Sequence, residues 1–263
     1  MVGGKKTRSR GKGLMGSHQR CWLWGRNVVL ELLRAGRWQP HEVLVAERAG
    51  DEASRETVQV CEARGIPIVP SRDDDLRRLT GAEDHQGLAA RMPPYPYLTT
   101  AELLRSWDRT RPLVILDRIQ DPFNFGAIVR CGEVLGVGGM VVGEASQADV
   151  SAQMVRSSAG AVHHVPLART SSLADFLSEL RSGRVTVIGA SEKGSVAPDR
   201  LPRGTEVGLV IGNEGRGLAP EILALCDECV SIPQVGRVNS LNAAVAAGIL
   251  LYELAKGTSG GRV

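Results

Sequence analysis

The sequence predicts a two-domain α/β protein whose larger, second domain is built on a parallel sheet covered by helices. Three observations predict it. Short apolar runs alternate with helical periodicity from residue 25 onward, and strands and helices alternating at this spacing form parallel sheets with helices on both faces. The alternation is interrupted at 92–99, where Pro93, Pro94 and Pro96 deny regular ladder bonding and mark a joint. Near the end, two apolar strands each run into a glycine-bearing loop and then a helix, the arrangement that seats ligands outside the carboxyl ends of strands in open α/β sheets. A chain of 263 residues, 43% of them hydrophobic, can fill two modest cores.

Residues 1–20 hold Lys5, Lys6, Arg8, Arg10, Lys12 and Arg20 with no acidic residue. Such a segment cannot bury enough apolar surface to fold alone, and it reads as a solvated basic tail, either inert or attracted to a nucleic acid backbone. The first domain, 21–91, is expected to hold helices at 25–33, 54–63 and 73–79, with Gly36 and Gly65 as stops, and strands at 43–46, 66–70 and 86–90. The Pro-rich joint, 92–98, is expected to let this small domain adjust. In the second domain, 99–263, strands are predicted at 114–116, 139–142, 164–167 and 185–190, with helices at 126–135, 150–158 and 171–180 between them. A strand at 207–211 then breaks at Gly212-Asn213-Glu214-Gly215-Arg216-Gly217, and the next helix carries Pro220 in its first turn, where a missing N–H costs nothing. A strand at 230–232 breaks at Pro233-Gln234-Val235-Gly236, and a helix opens around Ser240 and runs to about Lys256, with Gly257 as its stop.

Composition excludes several classes. No apolar run reaches the roughly 18 to 20 residues of a membrane span, and 1–20 lacks the apolar core of a signal peptide, so a cytoplasmic protein without membrane partners is expected. Five scattered cysteines argue against a disulfide framework, and Cys226 and Cys229 lack the second pair or the histidine that a zinc site needs, so no metal is expected. The glycine loop at 212–217 is neither a dinucleotide fingerprint nor a phosphate loop, since its spacing is G-x-x-G-x-G and no G-x-x-x-x-G-K-[ST] occurs in the chain.

Three separated motifs carry a resemblance. Asn124, Gly126 and Arg130 stand in N-x-G-x-x-x-R spacing; Gly212-Asn213-Glu214-Gly215 with Gly217 forms the second motif; Ile232-Pro233, Gly236 and Ser240-Leu241-Asn242 form the third. In this order they resemble the SpoU, or TrmH-like, ribose 2′-O-methyltransferases of the SPOUT superfamily. Leu23-Trp24-Gly25 and His85-Gln86-Gly87-Leu88-Ala89-Ala90 look like the ends of the small L30e-like RNA-binding domain of one SpoU subgroup, the one that methylates a guanosine of 23S ribosomal RNA.

The resemblance implies a deep trefoil knot in the second domain, S-adenosylmethionine as cofactor, RNA as substrate and a two-fold homodimer through the terminal helix. It implies that Gly212, Ile232 and Leu241 contact the cofactor, and that Asn124, Arg130, Glu214, Ser240 and Asn242 surround the reacting groups. On its own, Asn124 also suits a helix cap and Arg130 a solvated helix face. Within the implied site a guanidinium keeps its proton, so Arg130 is read as gripping phosphate and offsetting charge on the ribose oxygen, not as a base. Cys131-Gly132 and Gln234 depart from the common pattern and put the substrate's identity in doubt more than activity. Other readings are an enzyme acting on transfer RNA or another ribosomal site, and a catalytically silent RNA-binding protein on the same fold.

Overall fold

The structure, a computed structural model, describes residues 21–48, 50–202, 206–237 and 240–256. The basic tail and Gly257 lie outside the described residues.

The first sheet is mixed. Its strands are β1 (Trp22–Trp24), β2 (Glu42–Ala46), β3 (Ile68–Ser71) and β4 (Leu88–Arg91), in the order β1-β4-β2-β3. β4 pairs antiparallel with β1 and β2, and β2 pairs parallel with β3. Three helices cover it: α1 (Arg26–Ala35), α2 (Glu52–Arg64) and α3 (Asp73–Thr80), closed by Gly36, Gly65 and Gly81, each with left-handed backbone. Asp51 caps α2 by accepting from the Ser54 N–H at 3.0 Å. α1 has no local cap, and Gln86 supplies one from sixty residues away by accepting from the Arg26 N–H at 3.0 Å. That role, and a φ of 54° at Gln86, take residues 86 and 87 out of the predicted strand.

The second sheet holds six strands, all parallel: β5 (Leu113–Leu116), β6 (Gly139–Gly143), β7 (Leu167–Thr170), β8 (Thr186–Ala190), β9 (Val207–Ile211) and β10 (Glu228–Val230). Their order is β10-β8-β9-β5-β6-β7, so the chain works outward from β5 in one direction, then returns to fill the other side with β9 inserted between β8 and β5. β5 and β9 are buried along their whole length, as central strands with helices on both faces must be. The helices are α4 (Thr100–Ser106), α5 (Pro122–Val134), α6 (Ala152–Ser157), α7 (Leu173–Ser182), α8 (Pro220–Leu223) and α9 (Ala243–Ala255). A 3-10 turn at Ala161–His163 occupies part of the stretch before β7, which shifts that strand three residues beyond its predicted start.

The Pro-rich joint is packed against both domains. Tyr95 packs edge-on against Trp38 at 5.1 Å between ring centroids and against Tyr97 at 4.9 Å, while its hydroxyl donates to the Val162 carbonyl at 3.0 Å. Trp38 donates to the Pro93 carbonyl at 3.1 Å, and the Leu98 N–H donates to the Leu167 carbonyl at 3.0 Å. Aromatic pairs of this kind contribute about 0.5–1.5 kcal/mol each beyond their burial, so the joint is a packed seam.

Candidate active site

The carboxyl ends of β5, β8, β9 and β10 meet on one side of the sheet, beside the point where strand order reverses. The loop after β9 is shaped by its own asparagine. Asn213 exchanges backbone hydrogen bonds with Gly217 at 3.1 and 2.9 Å, and its side-chain oxygen accepts from the N–H groups of Gly215 and Arg216 at 3.0 and 3.1 Å. The turn closes so tightly that a Cβ on Gly212 would lie 2.4 Å from the Gly217 carbonyl carbon, a contact only glycine avoids.

Two residues that no sequence motif marks hold that loop. Asp117, 3% exposed at the end of β5, accepts from the Ala219 N–H at 2.7 Å and forms a two-point ion pair with Arg118 at 2.9 and 3.1 Å. Arg118 reaches the Gly217 carbonyl at 3.3 Å, and its own carbonyl accepts from the Asn213 amide at 2.9 Å. Hydrogen bonding to the Asp117 carboxylate raises the Arg118 pKa above its already high value, so this cation is permanent.

Three of the five proposed reacting-site residues join in one chain of hydrogen bonds. Glu214 accepts from Asn124 at 2.9 Å through one oxygen and from Asn213 at 3.2 Å through the other. Asn124 in turn accepts from the Asn242 amide at 2.9 Å, and Asn242 caps α9 by accepting from the Ala244 and Val245 N–H groups at 2.9 and 3.3 Å. The carboxylate fixes every amide orientation along this chain, since each NH₂ must face an acceptor. Asn124 is therefore not a cap: Asp121 caps α5, accepting from the Phe123 N–H at 3.1 Å, with Pro122 behind it, and Asn124 points from the first turn into the site.

Glu214 and Ser240 line a cavity of about 410 Å³, together with Gly212, Ile232 and Leu241. Ser191 and Lys193, from the loop after β8, complete its wall and carry no motif in the sequence. Asn124 and Asn242 face a more open groove between α5 and α9. Arg130 lines neither space, is exposed, and has no hydrogen-bond or ion-pair partner among the described residues. It sits in the stripe Phe123, Ala127, Arg130 and Val134, in which Phe123 is 58% and Val134 71% exposed.

The cavity fits a nucleoside cofactor such as S-adenosylmethionine. Its volume lies within the usual range for small-molecule sites, Ile232, Leu241 and Leu250 give it an apolar wall, and the missing side chain at Gly212 brings peptide groups to its surface. Among the described residues no cluster of three or more His, Cys, Asp or Glu is placed to hold a metal ion.

Comparison with known proteins finds likenesses for both domains. Residues 111–252 match the SpoU rRNA Methylase family, and residues 22–98 match the RNA 2′-O ribose methyltransferase substrate binding family. The chain is 40% identical over 234 residues to an uncharacterized tRNA/rRNA methyltransferase of Mycobacterium ulcerans, covering 88% of this chain and 76% of that one. It superposes on the SpoU methyltransferase AviRb from Streptomyces viridochromogenes in complex with AdoMet with a TM-score of 0.77, at 26% identity, over 89% of each chain. An AdoMet-bound rRNA methyltransferase from Sinorhizobium meliloti gives a TM-score of 0.78, at 26% identity, over 90% of this chain and 87% of that one. Fold, cleft and these likenesses define an S-adenosylmethionine-dependent RNA methyltransferase. The chain belongs to the SpoU rRNA Methylase family, whose chemistry is ribose 2′-O methylation.

Proposed function

We propose that this enzyme methylates the ribose 2′-hydroxyl of a guanosine in 23S ribosomal RNA, as a cytoplasmic homodimer. The observation that carries the reading is the chain Asn213, Glu214, Asn124 and Asn242, which runs from the cavity wall to the open groove and leaves polar groups fixed where the two spaces meet. Gly212, Ile232 and Leu241 would hold the cofactor, which supplies an electrophilic methyl group. Glu214 holds Asn124 in one orientation, and Asn124 and Asn242 with Ser240 position the ribose so that its 2′-oxygen is aligned for attack. Arg130 grips a phosphate beside the target through its planar fork and offsets charge on that oxygen. The resemblance also implies a trefoil knot threading the segment from Gly208 onward.

The homodimer rests on exposed apolar surface. Val245, Ile249 and Tyr252 on α9 are 50%, 36% and 55% exposed, beside the Phe123 stripe of α5. In a two-fold interface this patch faces its own copy, so Arg130 would meet the partner's groove, which one chain leaves open. Phe123→Glu should turn a dimer into a monomer by light scattering; a native chain that is monomeric at micromolar concentration contradicts the reading. Mapping 2′-O-methyl positions in total RNA with and without the gene tests the target. Loss of one guanosine signal in 23S RNA is expected; loss in transfer RNA, which the relatives' name tRNA/rRNA methyltransferase keeps open, would move the substrate.

A further inference from the structure

The first domain meets the second over a continuous apolar interface, in which Leu23, Val29 and Leu32 share one core with Met154, Val155 and Val162, and two features of it bear on the cleft. One is the seam of Trp38, Tyr95 and His163, bordered by a His164–Glu31 contact at 3.0 Å and by Arg37, which donates to the His164 carbonyl at 3.1 Å. The other is polar and lies on α6. Arg156 forms an ion pair with Asp84 of the first domain and lies over the Trp24 ring, 5.7 Å from its centroid. Trp24 donates to the other Asp84 oxygen at 3.1 Å, so both oxygens of one carboxylate are engaged, one from each domain. These bonds, that from Arg156 first and that from Trp24 second, hold the Asp84 pKa down at about 2.

The packing of α6 against α5 connects this contact to the cleft. Gly126 lets α5 lie directly on α6, where a Cβ would fall 2.5 Å from the Met154 carbonyl oxygen and 2.6 Å from the Ser157 Cβ. Ser157, next to Arg156, donates to the Phe123 carbonyl at 2.8 Å, and the residue after Phe123 is Asn124. The Asp84–Arg156–Trp24 contact adds a directional polar tie at α6 to the apolar packing between the domains.

We propose that Arg156 is a positioning residue that, clamped by Asp84 and Trp24, fixes the RNA-binding domain in register with the helix presenting Asn124, so that RNA held by the first domain delivers its target ribose to the cleft. The inference rests on the functional reading above and adds how substrate is registered. An exposed ion pair contributes little to global stability, so its loss should appear in substrate handling before it appears in melting.

The test uses the full chain, unmodified 23S RNA made by transcription, and labelled S-adenosylmethionine. Arg156→Ala and Asp84→Asn should each raise the KM for RNA about tenfold, with kcat at saturating RNA within about threefold and cofactor Kd unchanged, the split expected when binding geometry and not chemistry is lost. Arg156→Asp and Asp84→Arg should each be impaired, while the double reversal should recover to within about threefold of native KM, because the coupling survives exchange of charges. A KM within about twofold of native in the single variants, no recovery in the double variant, or loss of cofactor binding together with kcat would overturn the proposal. If the native chain labels no RNA, the functional reading fails and this inference with it. If the native chain labels RNA and the variants match it, this inference alone fails.

Discussion

Glu214→Gln changes one oxygen to an amide and should unsettle the site far out of proportion to its size. The carboxylate accepts two hydrogen bonds, from Asn124 at 2.9 Å and Asn213 at 3.2 Å. Glutamine can accept only one of them, and its NH₂ then faces another NH₂. Asn213 cannot turn to relieve this, because its amide also donates to Arg118 and its oxygen holds Gly215 and Arg216. Asn124 must therefore rotate, which presents its NH₂ to the Asn242 NH₂ and breaks the next bond as well. Replacing two bonds to a charged group by two neutral ones and losing the Asn242–Asn124 bond costs about 2 kcal/mol at a half-buried site. For a chain of this size that corresponds to a fall of roughly 4–8 °C in Tm. The rate should fall by roughly thirtyfold or more if the same energy is lost from the aligned state, since about 1.4 kcal/mol is tenfold. Differential scanning fluorimetry and single-turnover methylation of the same preparation measure both. A variant with native Tm and native turnover would show that the amide chain neither stabilises nor orients anything.

Gly212→Ala should weaken cofactor binding by about tenfold to a hundredfold in isothermal titration, because a Cβ 2.4 Å from the Gly217 backbone forces the loop to open at a strain of roughly 1–3 kcal/mol; native affinity would remove this loop from the binding site. Arg130→Ala should slow single-turnover methylation at least about a hundredfold, roughly 3 kcal/mol, with folding and cofactor affinity unchanged, and Arg130→Lys should recover only part of the rate. A loss under about fivefold would take Arg130 out of the mechanism. His163 gives a pH dependence. Burial at the seam, helped by neighbouring His164, lowers its pKa from 6.5 to about 4, so the unfolded chain binds the proton first. Its neutral form keeps full stability above about pH 6.5, and up to roughly 3 kcal/mol is lost as pH falls toward 4. His163→Gln should flatten the Tm profile in that window; an unchanged slope would place the acid sensitivity elsewhere.

The inner strands β5, β6, β8 and β9 were legible because they are apolar runs bounded by turn residues, whereas the edge strands β7 and β10, with the sequences LART and ECV, overlap their predicted positions by one residue each. Boundaries slipped where tertiary partners decided them. The predicted strand at 230–232 ends at Val230, because its neighbour β8 ends at Ala190, the residue paired with it. Helix α5 begins four residues before the predicted start; Asp121-Pro122 signals the observed start, whereas Gly126, at the predicted one, serves close approach to α6. Helix α4 lies in a stretch with no predicted element, although Thr99 and Glu102 form a capping box. The Asp117–Arg118 staple was beyond reach, since its partners Gly217 and Ala219 lie about a hundred positions away and nothing local marks the pair. The family motifs located Asn124, Glu214 and Asn242, yet only the fold shows them bonded to each other and Arg130 standing apart.

The central claim is tested most directly by incubating unmodified 23S RNA with the chain and methyl-labelled S-adenosylmethionine, then digesting the product with alkali. A 2′-O-methyl group blocks cleavage of the adjoining phosphodiester, so the account predicts that all label stays in one alkali-resistant dinucleotide containing guanosine. Label released in mononucleotides would place the methyl on a base, and absence of label from every RNA supplied would mean that this chain is not the ribose methyltransferase described here.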